Sequence, residues 1–251
     1  MGIWKLVVEY EGTEFAGWQV QPELRTVQGE LGRALSTVLR REVAVQGAGR
    51  TDAGVHACGQ VASIEAAEDV NEVLAKVNGV LPRDVVVRHA SPAPPGFHAR
   101  HSAVRRHYRY RLHRGVVAVE RRTCLSLPCA PDLERIRLAA DRLPASRDFA
   151  ALASAVDPGE STICRLESVE IVEEGSFVNV EVVANRFLRK MVRTIVGTLL
   201  EVGRGRRSPD WIDEVLDSGD RRAAGPVVPA RGLFLMAVDY PGDPGLKEKT
   251  E

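Results

Sequence analysis

The chain has 251 residues, 44% of them hydrophobic and 27% charged, and its formal net charge at pH 7 is zero. That length and apolar content allow one sizeable core or two smaller ones, while the longest apolar stretches are broken by charges well short of the roughly 18 residues a membrane span requires. The opening Met1-Gly2-Ile3-Trp4-Lys5 lacks the apolar core of a signal peptide, so a soluble, cytoplasmic protein with no membrane association is expected.

Residues 3–10 (IWKLVVEY) are predicted as a strand, and Thr26 as the cap of a helix running to about Arg40 with Val27, Leu31, Ala34, Leu35, Val38 and Leu39 inward. Strands at 43–48 and 60–65 flank a Gly-rich turn, followed by a helix at 70–79 and a strand at 84–90. Strand, helix, strand, strand, helix, strand is the order of the ferredoxin-like split βαβ motif. Ser91-Pro92-Ala93-Pro94-Pro95-Gly96 reads as a linker, because proline does not fit inside a sheet ladder or a helix. It separates an N-terminal half, 1–100, from a C-terminal half, 101–251. In the second half a strand is predicted at 104–113, a helix at 132–143 and a long hairpin at 163–184 around Glu174-Gly175. A helix at 186–202, a short helix at 209–217 and a last strand at 232–239 follow, and the tail from about Asp243 is predicted to be disordered. The expected fold class is α+β, two related halves sharing a mostly antiparallel sheet with flanking helices. The cysteines, Cys58, Cys124, Cys129 and Cys164, contain no Cys-x-x-Cys pair and are expected to be free buried thiols rather than zinc ligands.

The most informative stretch is Gly47-Ala48-Gly49-Arg50-Thr51-Asp52-Ala53-Gly54-Val55-His56-Ala57, between two predicted strands. Glycines at 47, 49 and 54 let the backbone turn sharply and approach a ligand, presenting Arg50 and Asp52 at a loop tip. A dinucleotide fingerprint fails, since Gly-x-Gly-x-x-Gly would need glycine where Asp52 stands, and no Gly-Lys-Ser/Thr follows to make a P-loop. From residue types alone, Asp52 is either an Asx-turn aspartate bonded to its own backbone or a functional carboxylate.

The nine residues Gly49–Ala57 resemble the signature of the TruA pseudouridine synthases. The resemblance continues through Tyr10-Glu11-Gly12-Thr13, Phe15-x-Gly17-Trp18-Gln19-x-Gln21, Val27-Gln28-Gly29 and Phe97-His98-Ala99-Arg100. It extends to Arg106-His107-Tyr108-Arg109-Tyr110, to Phe187-Leu188-Arg189-Lys190-Met191-Val192-Arg193 with Gly197, and to Gly232-Leu233 and Asp239-Tyr240-Pro241. Glu11 and His101 depart from it, standing where the family usually has aspartate and phenylalanine. The departures bear on packing or RNA contacts near those residues, and His101 is expected to be a partly exposed packing residue.

The resemblance implies a pseudouridine synthase fold and isomerisation of uridine to pseudouridine at positions 38–40 of the tRNA anticodon stem-loop. The bond from C1′ to N1 breaks, the uracil turns, and C1′ joins C5. A carboxylate such as Asp52 can begin this by attacking C1′ or by abstracting the C2′ proton, and neither route requires a cofactor or metal. Asp52 must stay ionised where the flipped base has expelled water, so a cation must compensate, and the resemblance assigns Arg193 to this. It also implies that Tyr108 lies against the uracil, that Arg50 takes the space left by the extruded uridine, that Leu233 belongs to the substrate site, and that the protein is a homodimer. Tyr110, two residues along a strand from Tyr108, points to the same side and is expected to pack in the core.

The charges support an RNA partner, although arginine makes up 29 of the 34 basic residues and that bias alone says little. The segments 100–122 and 186–207 hold eight and seven basic residues against one acid each, Glu120 and Glu201, interleaved with Tyr108, Tyr110 and Phe187. On the predicted helix, Arg186, Arg189, Lys190 and Arg193 form one cationic stripe opposite an apolar face of Phe187, Met191, Val192, Ile195, Val196 and Leu199. Arg204, Arg206 and Arg207 are expected to contact phosphates. Two rival functions are a non-catalytic tRNA-binding protein or chaperone on the same scaffold, and a carboxylate enzyme acting on a free nucleoside or sugar. The latter needs a second acid paired with Asp52, and the motif contains none.

Overall fold

The structure, a computed structural model, describes residues 2–67, 69–156 and 159–243. The predicted disorder beyond Asp243 lies outside the described residues. In chain order the elements are β1 (Gly2–Tyr10), α1 (Val27–Leu39), β2 (Gln46–Gly47), β3 (His56–Ala66), α2 (Val70–Val80), β4 (Val85–Ala93) and β5 (Arg105–Arg114). There follow β6 (Leu125–Leu127), α3 (Leu133–Ala140), β7 (Ala145–Asp148), β8 (Ile163–Glu174), β9 (Phe177–Ala184), α4 (Met191–Gly203), α5 (Trp211–Ser218) and β10 (Leu233–Asp239). The class is α+β, with mostly antiparallel strand pairing and flanking helices. Two compact units are formed, one of Met1–Arg106 with Leu235–Glu251 and the other of His107–Phe234, so the division falls at Arg106 and the C-terminal strand returns to the first unit.

In the first unit the strand order is β4-β1-β3-β10, with β2 on β3. β1 alternates strictly, burying Trp4, Leu6, Val8 and Tyr10, and pairs antiparallel with β3 on one side and β4 on the other. On α1 the Thr26 hydroxyl accepts from the Gly29 N–H, and Val27, Leu31, Ala34, Leu35 and Leu39 form the buried stripe. Val38, expected inward, is only half-buried.

Two expectations for this unit need correction. The predicted strand at 43–48 shrinks to Gln46–Gly47, the two residues that pair with β3. Upstream of them the backbone is satisfied by α1, since Val43 N–H donates to Ser36 Oγ at 3.1 Å and Gln28 Nε2 donates to Val45 O at 2.8 Å. The proline-rich stretch is no simple linker either, because β4 runs through Ser91, Pro92 and Ala93, opposite Lys5, Trp4 and Ile3 of β1. At the outer end of this unit's strand order, Pro92 is tolerated, having no N–H that another strand must receive.

In the second unit the order is β5-β9-β8-β7, with the short β6 parallel to β5. β8 and β9 form the predicted hairpin, turning at Gly175 (φ 61°) with Glu174 opposite Phe177. The three- and four-residue strands β6 and β7 escape sequence prediction because neither is long enough to show an alternation.

The helix predicted from 186 begins only at Met191. Asn185 still bonds across to Arg165, the Arg189 carbonyl is taken by the Ser154 N–H, and Lys190 has left-handed φ and ψ of 60° and 12°. Arg186, Arg189 and Lys190 therefore precede the helix, and the cationic stripe does not exist. The expected core face does: Met191, Val192, Ile195, Val196 and Leu199 are buried, in a helix buried on nearly every side. The cysteines divide, Cys124 and Cys164 buried but Cys58 and Cys129 exposed: Cys58 and Glu65 are the exposed positions of an otherwise buried β3, and Cys129 lies in an exposed loop. No helix among the described residues is long and apolar enough to cross a membrane.

Candidate active site

The loop carrying Arg50 and Asp52 joins β2 to β3 and is held at every turn of its path. Ala48 N–H donates to Val61 O at 2.8 Å, and the buried Gln60 amide donates to Gly49 O at 2.8 Å. Thr51, immediately before Asp52, is gripped twice: Trp18 N–H donates to its carbonyl at 3.0 Å, and its hydroxyl lies 2.8 Å from the Tyr10 hydroxyl. Val55 N–H closes a turn on Asp52 O at 3.2 Å, with Gly54 at φ 76° where such a turn needs positive φ. Arg50 is exposed and Asp52 half-buried.

The three glycines of the motif serve different ends. Gly54 supplies the turn. A Cβ on Gly47 would sit 2.4 Å from Trp18 Nε1, so this glycine makes room for the indole, whereas one on Gly49 would meet open space.

The segment 11–18 lies backbone to backbone on the same loop. A Cβ at Gly12 would fall 2.0 Å from Val55 O, and one at Gly17, whose φ is 107°, 2.7 Å from Thr51 O. Gly12 N–H donates to Nδ1 of the buried His56 at 3.0 Å, which places the His56 proton on Nε2. Glu11 caps the Thr13 turn, accepting from Thr13 N–H at 3.3 Å and from its hydroxyl. His101 is exposed, its ring 4.4 Å from that of His98. Tyr10, Trp18 and Gln60 support the loop through contacts between segments distant in sequence, which local pattern does not reveal, although the density of glycine and aromatic residues in 10–18 marks that segment as one built for close packing.

The second unit holds Tyr108, Arg193 and Leu233. Tyr108 is buried on β5 with its ring edge-on to Phe187 at 5.0 Å. Tyr110 is wholly buried and donates its hydroxyl to Pro229 O at 2.7 Å. Burial pushes that hydroxyl well above the usual tyrosine range, against opposing pulls from Arg193 and Arg231, so it stays protonated as the bond requires. Arg193 lies in the first turn of α4 and donates Nε–H to Val228 O at 2.8 Å, fixing its guanidinium plane, while Val228 N–H returns a bond to Arg193 O at 3.3 Å. The 225–229 segment can lie this close because Gly197 has no side chain, a Cβ there falling 1.7 Å from Pro226 O. Leu233 is buried at the start of β10, next to Gly232, where a Cβ would strike the Tyr110 ring at 2.8 Å.

The basic segments are less cationic in space than along the chain. Arg109 pairs with Glu181, Arg111 with Glu120, Arg114 with Glu173, and Arg186 with Glu160. Strand pairing brings acids from β8 and β9 that counting along the chain cannot see. Arg204 and Arg206 both reach Glu201, at 3.2 and 3.1 Å, and Arg207 lies over the Trp211 ring at 4.9 Å, all three remaining exposed.

A family model described as tRNA pseudouridine synthase matches residues 6–102 and 139–241. The chain is thus of the class of isomerases that act on tRNA. Relatives called tRNA pseudouridine synthase A include those of Geobacter sulfurreducens, 40% identical over 94% of this chain and 98% of the relative, and Geotalea uraniireducens, 39% identical with the same coverage. That of Azorhizobium caulinodans is 41% identical over 95% of this chain and 94% of the relative. The chain belongs to the tRNA pseudouridine synthase family and is similar to its A-type members, TruA. A solved archaeal box H/ACA sRNP Nop10–Cbf5 complex aligns over 88% of this chain and 59% of that chain at 13% identity and a TM-score of 0.34.

Proposed function

We propose that this tRNA pseudouridine synthase acts on uridines of the anticodon stem-loop, with Asp52 beginning the reaction at the ribose. Tyr108 lies against the uracil, Arg193 supplies the compensating cation, Arg50 fills the space left by the flipped nucleotide, and Leu233 contacts the substrate. What carries the reading is the bracing of the loop: the residue before Asp52 is fixed by both its carbonyl and its hydroxyl, as expected of a loop that presents one carboxylate in one orientation. Flipping costs a few kcal/mol and least where a base is poorly paired, which favours uridines where a stem meets its loop. Mapping pseudouridine in tRNA before and after incubation tests this. Conversion confined to the anticodon arm is expected, and conversion confined to another arm contradicts it.

Arg204, Arg206 and Arg207 are assigned to phosphates, with Glu201 as the counter-ion that RNA displaces. Affinity for tRNA is then expected to fall at least ~10-fold as salt rises from about 50 to 200 mM, and this slope should flatten when the three are replaced together by alanine. Affinity unchanged across that range would remove the phosphate contacts from the account.

The protein is assigned to the cytoplasm, where its tRNA substrate is found, and to a homodimer. Sedimentation at micromolar concentration is expected to give twice the chain mass, and a fully active monomer would argue against the dimer.

A further inference from the structure

Arg106 counts along the chain as one more cation of the 100–122 segment, but its guanidinium is turned onto main chain. Nη1 donates to Ala103 O at 3.1 Å, and Nη2 to Arg100 O at 2.9 Å and Ala48 O at 3.2 Å. Two of these carbonyls belong to the 97–103 turn, which is itself anchored. Ala99 N–H donates to the buried Ser63 hydroxyl at 3.1 Å, and the Tyr240 hydroxyl donates to Ala99 O at 2.7 Å. The third carbonyl, that of Ala48, is the root of the loop that carries Asp52, one residue before the Gly49 carbonyl held by Gln60.

We infer that Arg106 is a positioning residue for Asp52, tying the root of its loop to a fixed turn through the Ala48 carbonyl, and not a phosphate contact. A planar fork with five donors can hold three carbonyls at set angles, whereas the ammonium of lysine, a point charge on a flexible stem, keeps the charge but not the geometry. Displacement of a reacting group by about 1 Å costs on the order of 10²-fold in rate without weakening the binding of substrate elsewhere. The inference rests on Asp52 being the reactive carboxylate.

The test compares native protein with Arg106→Lys and Arg106→Gln, measuring tRNA affinity and the single-turnover rate of pseudouridine formation at saturating protein, well below each melting temperature. Both variants are expected to bind tRNA within about 3-fold of native and to react roughly 10- to 100-fold more slowly. A lysine variant at the native rate overturns the inference, as does weaker binding with an unchanged single-turnover rate, the pattern of a lost phosphate contact. A variant that merely melts earlier while keeping the native rate overturns it too. If native protein forms no pseudouridine, the assignment of Asp52 fails first and this inference falls with it.

Discussion

Asp52→Asn is expected to lower pseudouridine formation by roughly 10³-fold or more while leaving tRNA binding within a few-fold of native. The amide is nearly isosteric with the carboxylate, and the bonds that hold the loop use the carbonyls of Gly49, Thr51 and Asp52 and the hydroxyl of Thr51, none of which the substitution removes. What it removes is the charge, and with it both the nucleophile toward C1′ and the base toward the C2′ proton. Asp52→Glu keeps the charge but lengthens the side chain by one methylene in a loop with little freedom to retreat, and should also be severely slowed. Rates are to be read at saturating protein so that binding and chemistry separate. An asparagine variant within about 10-fold of native would show that another group begins the reaction.

Gly12→Ala is the second substitution with a large expected effect, and its cause is steric. The new methyl would stand 2.0 Å from Val55 O and 2.5 Å from Val55 C, atoms of the backbone turn that follows Asp52. Neither side has a rotamer to change, so one segment must move, at a cost of about 3 kcal/mol or more. A movement of even 1 Å in that turn is expected to lower the single-turnover rate on the order of 10²-fold. Gly49→Ala is the matched control. Its methyl meets open space, and stability is expected to hold or to rise by at most about 1 kcal/mol. Thermal unfolding of the two variants beside native protein checks both, and equal melting temperatures for Gly12→Ala and native would refute the close packing of the two segments.

The elements that announce themselves in the sequence are those whose periodicity is their own. The alternation of β1 and the i, i+4, i+7, i+8 spacing on α1 follow from which residues can be buried together, and both appear where expected. The errors arise where a distant segment decides. Val43 and Val45 alternate like a strand and are buried like one, but Ser36 and Gln28 of α1 take the backbone groups that a ladder would use. Pro92 looks like a chain break until β4 is seen to lie at the outer end of its unit's strand order. Helical spacing of Arg186, Arg189, Lys190 and Arg193 is a coincidence of a chain that is still leaving β9 at Asn185 and turns left-handed at Lys190.

The same distinction runs through the candidate site. Asp52 and Arg50 stand out only through the resemblance of Gly49–Ala57 to the family signature, since from residue types alone an aspartate in a Gly-rich turn is as readily an Asx-turn residue. The braces are not legible, because Gln60 on Gly49, Tyr10 and Trp18 on Thr51, and Gly12 on Val55 join residues 11 to 43 positions apart. Arg106 shows the limit most plainly, since a count of charges places it with the RNA contacts and the structure turns it inward onto three carbonyls.

The most direct measurement is release of tritium from tRNA labelled at uridine C5 on incubation with the native protein, because forming the bond from C1′ to C5 expels that hydrogen to water. Release that rises in proportion to pseudouridine formed is the result this account predicts. tRNA that binds in a salt-dependent way but releases no tritium would contradict it, and would leave a tRNA-binding protein whose Asp52 loop is braced for a reaction it does not perform.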